Sequence, residues 1–135
     1  MDDRQIDCLV MEKVFGYRVV EKKLDWYRVP VFFFYASNSD VPEYTYDSNA
    51  CNAMIYRNGR DDSDGTVPPL PFFMCDAEGR EWQIVKEMAS KHNLELSMTF
   101  SGGKFTASFG KPVEHKEAAS AICLAALLAL GLMPQ

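Results

Sequence analysis

At 135 residues the chain has the common size of one domain, long enough to bury a core without metal or disulfide support. Hydrophobic residues make up 47%, with 9 Phe, 6 Tyr and 2 Trp, a content that excludes global disorder. A net charge of −5, with 14 dispersed basic residues, argues against a nucleic-acid backbone as the main partner and suits a basic protein surface.

The first predicted element is a helix in which Ile6, Leu9, Val10, Val14 and Tyr17 form one apolar face. Asp2 or Asp3 can cap its start and Gly16 its end, and Arg4, Asp7, Glu12 and Lys13 are assigned to the solvent side. Val29-Pro30-Val31-Phe32-Phe33-Phe34-Tyr35 reads as a strand, with Pro30 at its start or on an edge. Its aromatic run does not alternate, so either both faces are buried or one face meets a partner.

Residues 36–70 are rich in turn formers and carry the polar loop Asn58-Gly59-Arg60-Asp61-Asp62-Ser63-Asp64-Gly65. The pieces Tyr44–Tyr46 and Met54–Tyr56 are expected to pair as short strands around that loop. Pro68-Pro69-Leu70-Pro71 reads as a stiff connector in preference to a polyproline ligand. A second helix is expected from Ala77 to Lys91, capped by Asp76, with Trp82, Ile84, Val85, Met88 and Ala89 facing inward. Leu94, Leu96, Met98 and Phe100 alternate with polar residues, as do Phe105, Ala107 and Phe109. The two runs flank Ser101-Gly102-Gly103 and predict a hairpin with one buried face. The final helix, from about Lys116 to Leu130, is apolar almost all round and should be the most buried.

The four cysteines, Cys8, Cys51, Cys75 and Cys123, form no CxxC pair and signal no zinc site. The charged start Met1-Asp2-Asp3-Arg4 lacks the apolar stretch of a secretion signal, which sets the expectation of a cytoplasmic protein with reduced thiols. The apolar run Ala118–Met133 falls short of the roughly 20 residues a spanning helix needs, so no membrane partner is expected.

A calcium loop aligned on Gly65 has Asp62 and Asp64 in place but Arg60 and Pro71 at its first and last positions, and one aligned on Gly59 fails at Tyr56. No metal and no cofactor are expected. His92 and His115 lie apart, and a pair such as Cys75 with His115 is not indicated by sequence. Ser101-Gly102-Gly103-Lys104 joins two strands and is a hairpin turn, not a phosphate loop. Tyr44, Tyr46 and Tyr56, together with Asp61, Asp62 and Asp64, form the candidate partner-binding surface, unless the tyrosines pack beneath their own loop.

Three segments carry a family resemblance: Ile6-Asp7-Cys8-Leu9-Val10-Met11-Glu12-Lys13-Val14-Phe15-Gly16-Tyr17, then Asp76 followed by Trp82-Gln83-Ile84-Val85-Lys86-Glu87, and finally Ala118-Ala119-Ser120-Ala121-Ile122-Cys123-Leu124-Ala125-Ala126-Leu127-Leu128-Ala129-Leu130. In this order they resemble the phage ABA-sandwich domain family, whose members open with a helix ending "EKVMGW" and close with an alanine-rich "AICRAALLA" helix. The resemblance spans residues 1–17 and the chain from about residue 71 onward. Leu124 stands where the family often has Arg, residues 25–70 are long for the family, and Tyr46-Asp47 is an alternative match to its aspartate motif.

The resemblance implies an α+β fold, a three-layer helix/antiparallel-sheet/helix (ABA) sandwich. With no linker in the sequence, we expect a single domain over residues 1–135 with 36–70 inserted. It implies a phage or prophage accessory protein with no established enzymatic activity. The expected function is therefore non-catalytic binding of a host or phage protein in the bacterial cytoplasm, with inhibition of a host defence protein, an anti-CRISPR-like role, as its concrete form. Self-association into a homo-oligomer is compatible with it. The alternatives are a protein that sequesters a nucleotide or other small molecule and, last, a Cys–His enzyme.

Overall fold

A computed structural model describes residues 2–23, 29–47, 70–74 and 79–132. The chain divides into two compact units, Met1–Phe15 with Phe72–Gln135, and Gly16–Pro71. The described residues hold helices and two three-stranded antiparallel sheets, an α+β protein.

The first unit opens with α1 (Asp3–Leu9). Asp2 caps it reciprocally: its carboxylate accepts the Gln5 N–H at 2.8 Å, and the Gln5 side chain accepts the Asp2 N–H at 2.9 Å. The helix widens into a π-helical turn, Val10–Val14, closed by the Phe15 N–H on the Val10 carbonyl at 3.2 Å. In an α-helix a four-residue step overshoots one turn; the wider turn undershoots and keeps Ile6, Val10 and Val14 in line on the buried face. Gly16, at φ 81°, ends the element where the sequence placed a cap.

α2 (Glu81–Lys91) begins later than the expected Ala77, because Gly79 at φ 69° is outside helical geometry; Asp76 and Ala77 lie outside the described residues. Its buried stripe is Glu81, Ile84 and Met88, not the expected Trp82 face: Trp82 is 55% exposed and Ala89 is exposed. Ile84 and Met88 are one helical turn apart and fix the buried side, and Trp82 lies off that line.

The hairpin forms as expected from β4 (Ser97–Ser101) and β5 (Lys104–Ser108), and β6 (Pro112–His115) adds to β5. Gly102 and Gly103, at φ 62° and 79°, provide the left-handed backbone of a type I′ turn. The expected burial of Phe100 fails. α3 (Ala118–Ala129) packs over β5 and β6, leaving Phe100 on the outer strand 62% exposed while Ala107 and Phe109 are buried.

α3 also packs against α1, the π-turn and α2. Ala119, Ala121, Ile122, Cys123, Ala125, Ala126 and Leu127 are all inaccessible, which explains a helix with no polar face. The other face of this sheet carries Ser97, Thr99, Ser101, Lys104 and Glu114, all exposed.

In the second unit β2 (Val31–Tyr35) is central, with β1 (Arg18–Lys22) and β3 (Pro42–Asp47) antiparallel on either side. Pro30 precedes the strand, as its missing N–H requires. Phe33, Phe34 and Tyr35 are buried and Phe32 is half-buried, so both faces of β2 are covered. Arg18 and Lys22 lie over the rings of Tyr35 and Phe33 at 4.6 and 5.1 Å and roof one face with their alkyl stems. Tyr44–Tyr46 pairs with β2; Met54–Tyr56 lies outside the described residues.

The tight packing of α3 predicts that Ala125→Leu lowers unfolding free energy by about 1–3 kcal/mol, while Ala89→Leu on α2 changes it by less than about 0.5 kcal/mol. Urea denaturation curves of the two variants check this.

Candidate functional site

Of the six candidate residues, Tyr44 and Tyr46 are described; Tyr56, Asp61, Asp62 and Asp64 lie outside the described residues. Both tyrosines point to one side of β3, two residues apart. Tyr46 is 6% exposed and stacks on Phe32, with centroids 6.0 Å apart. It is therefore buried and not an exposed contact residue. Tyr44 is half-buried and meets the ring of Tyr17 edge-on at 5.9 Å.

Around Tyr44 the chain builds a fixed corner. The Tyr17 hydroxyl donates to Glu43 Oε1 at 2.8 Å. The Val41 N–H donates to Ser39 Oγ at 3.2 Å, the Ser39 N–H donates to the Ala36 carbonyl at 3.1 Å, and Arg18 Nη2 donates to the Ser39 carbonyl at 3.1 Å. Asn38 adopts φ 68°, a left-handed position that asparagine tolerates. These bonds hold Val41, 66% exposed, at the tip of a braced turn between the acidic Asp40 and Glu43. The result is an exposed apolar side chain, two aromatic rings in contact and two nearby carboxylates on one surface. Sequence reasoning missed Tyr17, assigned to the first helix, and Val41, a lone apolar residue among turn formers.

A concavity of about 300 Å³ lies on α2. Gln83, Lys86, Glu87 and Ser90 share one side of the helix at three- and four-residue spacing, and Phe15 faces them. Phe15 is stacked on Phe73 at 5.5 Å and held by Lys91 Nζ, which donates to its carbonyl at 2.8 Å.

Asp7 departs furthest from expectation. Assigned to solvent, it is wholly buried. Its Oδ1 accepts the N–H groups of Phe73 and Met74, each at 3.0 Å, and Oδ2 is 3.4 Å from Arg4 Nη1. The Ser120 hydroxyl donates to the Met74 carbonyl at 3.0 Å, and the Arg4 guanidinium lies 4.0 Å over Phe72. Burial pushes the Asp7 carboxyl up to about 6, against the lowering pull of the Met74 and Phe73 amides and of Arg4.

His92 Nε2 donates to the Val14 carbonyl at 3.1 Å, and His115 Nδ1 accepts the Glu117 N–H at 3.1 Å. Both rings are thus engaged with backbone. Cys75 lies outside the described residues. Among the described residues no group of three His, Cys, Asp or Glu side chains is placed to hold a metal, and no helix is long and apolar enough to cross a membrane. No family model, curated protein or solved structure matches the chain.

Asp7 gives a signed prediction. Between about pH 4 and pH 6 the folded protein binds more protons at this site than the unfolded chain, so its contribution to stability rises as pH falls through 6. Measured against Asp7→Asn, the wild type should gain up to about 3 kcal/mol in relative unfolding free energy from pH 7 to pH 4. A difference that stays flat across that range refutes the assignment. Asp7→Ala strips two buried amides of their acceptor and should cost about 2–4 kcal/mol at pH 7, read from urea midpoints.

Proposed function

We propose that this chain is a non-catalytic phage or prophage accessory protein that acts by binding, and that its target is a host defence protein in the bacterial cytoplasm. The observation that supports this most is the braced corner of Val41, Tyr44, Tyr17 and Glu43. The Tyr17 hydroxyl bond to Glu43 holds one ring, Tyr44 meets that ring edge-on, and the Val41 backbone is tied to Ser39, so part of the ordering cost of docking is already met. The acidic rim suits a basic surface such as that of a nuclease, whose nucleic-acid groove is rich in Lys and Arg. Tyr56, Asp61, Asp62 and Asp64, outside the described residues, are kept in the proposal from their sequence chemistry alone, and Tyr46 contributes through its packing on Phe32.

The three-layer ABA scaffold belongs to the proposal as well. Two layers stand in the first unit, where α3 covers one face of the sheet of β4, β5 and β6.

A second reading rests on the α2 concavity. An aromatic ring, a lysine, an amide, a hydroxyl and the Glu87 carboxylate line it, groups that suit a small polar ligand with an aromatic face such as a nucleotide. Mass spectrometry of material released on denaturing the purified protein tests it; a spectrum without small-molecule species rejects it.

The leading reading predicts that expressing the chain in a host with an active defence nuclease raises the plating efficiency of a phage sensitive to that nuclease. Tyr44→Ala combined with Val41→Asp should weaken binding to the isolated nuclease about thirtyfold or more, equivalent to about 2 kcal/mol for one anchor residue. Undiminished rescue by a folded double variant refutes the surface. Failure to rescue against any nuclease-based defence refutes the inhibitory role.

A further inference from the structure

The two outer strands of the sheet in the first unit are built differently. β6 has Pro112, which lacks an N–H, and carries Glu114, with Lys111 and Lys116 flanking it. These devices discourage another strand from adding to that edge. β4, Ser97-Met98-Thr99-Phe100-Ser101, has no charge and no proline, and its register with β5 runs without a bulge. Among the described residues β4 pairs with β5 alone, so one side of its backbone faces outward.

The outward groups are identifiable. A two-residue type I′ turn closes on a hydrogen-bonded pair, here Ser101 with Lys104. Alternation then points the N–H and C=O groups of Ser97, Thr99 and Ser101 toward β5 and those of Met98 and Phe100 toward the open edge. Met98 and Phe100 also lie opposite Ala107 and Phe105, on the sheet face that α3 covers. α3 sits over β5 and β6, so Phe100 remains 62% exposed, its ring 4.7 Å from that of Phe105. Among the described residues, outward-pointing backbone groups and a largely exposed apolar ring therefore coincide on one strand.

We propose that this edge docks a second copy of the chain, β4 against β4 in antiparallel orientation, about a two-fold axis through Thr99. The strand is self-complementary about that residue: polar, apolar, polar, apolar, polar. The axis sets Met98 opposite Phe100 of the other copy, and these are the residues whose backbone groups face outward, so the hydrogen bonds fall in phase. Two methionines and two phenylalanines then gather on the helix side, where sulfur–ring and ring–ring contacts cover the largely exposed Phe100 ring. Ser97 meets Ser101 and Thr99 meets Thr99 on the polar side, as cross-strand hydroxyl pairs do. A one-residue slip would turn the apolar pair toward the polar face.

The edge carries no charge, so two chains of net charge −5 can meet there without like charges in direct opposition. A five-residue strand is about 17 Å long, and its pairing alone falls below the roughly 1,200 Å² of a tight interface, so the dimer is weak and concentration-dependent.

Sedimentation equilibrium of the full chain from about 1 µM to about 1 mM should show a reversible monomer–dimer equilibrium, weakened at least about tenfold by Phe100→Lys. Phe100 is largely exposed, so the variant should fold, as its unfolding curve checks. Thr99→Cys places two thiols across a non-hydrogen-bonded pair, about 4.5 Å apart at Cα, a spacing that a disulfide bridges. It should cross-link at least about tenfold faster than Lys111→Cys at the far edge, with the wild type setting the background of the native cysteines. A monomer throughout the range overturns the proposal. So does a dimer indifferent to Phe100→Lys, cross-linking of Thr99→Cys no faster than that of Lys111→Cys, or a monomer whose edge instead captures a strand of another protein.

Discussion

Two backbone amides, those of Phe73 and Met74, point at one oxygen of Asp7, and the core of the first unit is arranged around that meeting. They join α1 to a segment more than sixty residues later. The same segment is gripped on its other side, where Ser120 on α3 donates to the Met74 carbonyl. A buried carboxylate is costly unless its oxygens are bonded, and a buried amide is costly without an acceptor. Each satisfies the other's need here, with Arg4 at the second oxygen, and the cluster tolerates few alternatives. The apolar contacts follow its lead: Phe73 stacks on Phe15 and Phe72 lies under Arg4.

The π-turn serves the same end. It keeps Val10 and Val14 beneath α3 after Asp7 has fixed the rotation of α1. α3 in turn has no polar face because sheet and helices surround it. Its alanines let these elements approach, and it lies chiefly over β5 and β6. The exposed Phe100 is thus a consequence of core packing, not an isolated surface oddity.

The second unit solves a different problem. A central strand of aromatics needs cover on both faces, and β1 supplies some of it through Arg18 and Lys22 laid over rings. Arg18 also bonds the Ser39 carbonyl and so ties the turn that carries Val41. The candidate recognition corner is therefore braced by a residue that also roofs the sheet.

Much of this was legible in the chain. Period-two runs about Gly102-Gly103 dictated the hairpin, since only glycine takes two successive left-handed positions cheaply. Continuous apolar composition marked α3 as the buried helix, Pro30 marked a strand start or edge, and Gly16 marked the helix end, while the choice of Asp2 over Asp3 as its cap came from the structure. What the sequence could not fix was which side of each element would be covered. Periodicity reports an apolar stripe, but burial depends on where neighbours from distant sequence arrive. Asp7 is polar and sits inside because the amides of Phe73 and Met74 reach it. Trp82 and Phe100 are apolar and sit outside because Ile84 and Met88 set the inward side of α2 and α3 lies chiefly over β5 and β6. Tyr44 and Tyr46 look alike in sequence, yet only the pairing of β3 with β2 stacks Tyr46 on Phe32 and leaves Tyr44 beside Tyr17. Local chemistry chose the elements; contacts between residues far apart in the chain chose their faces, and with them the surfaces open to partners.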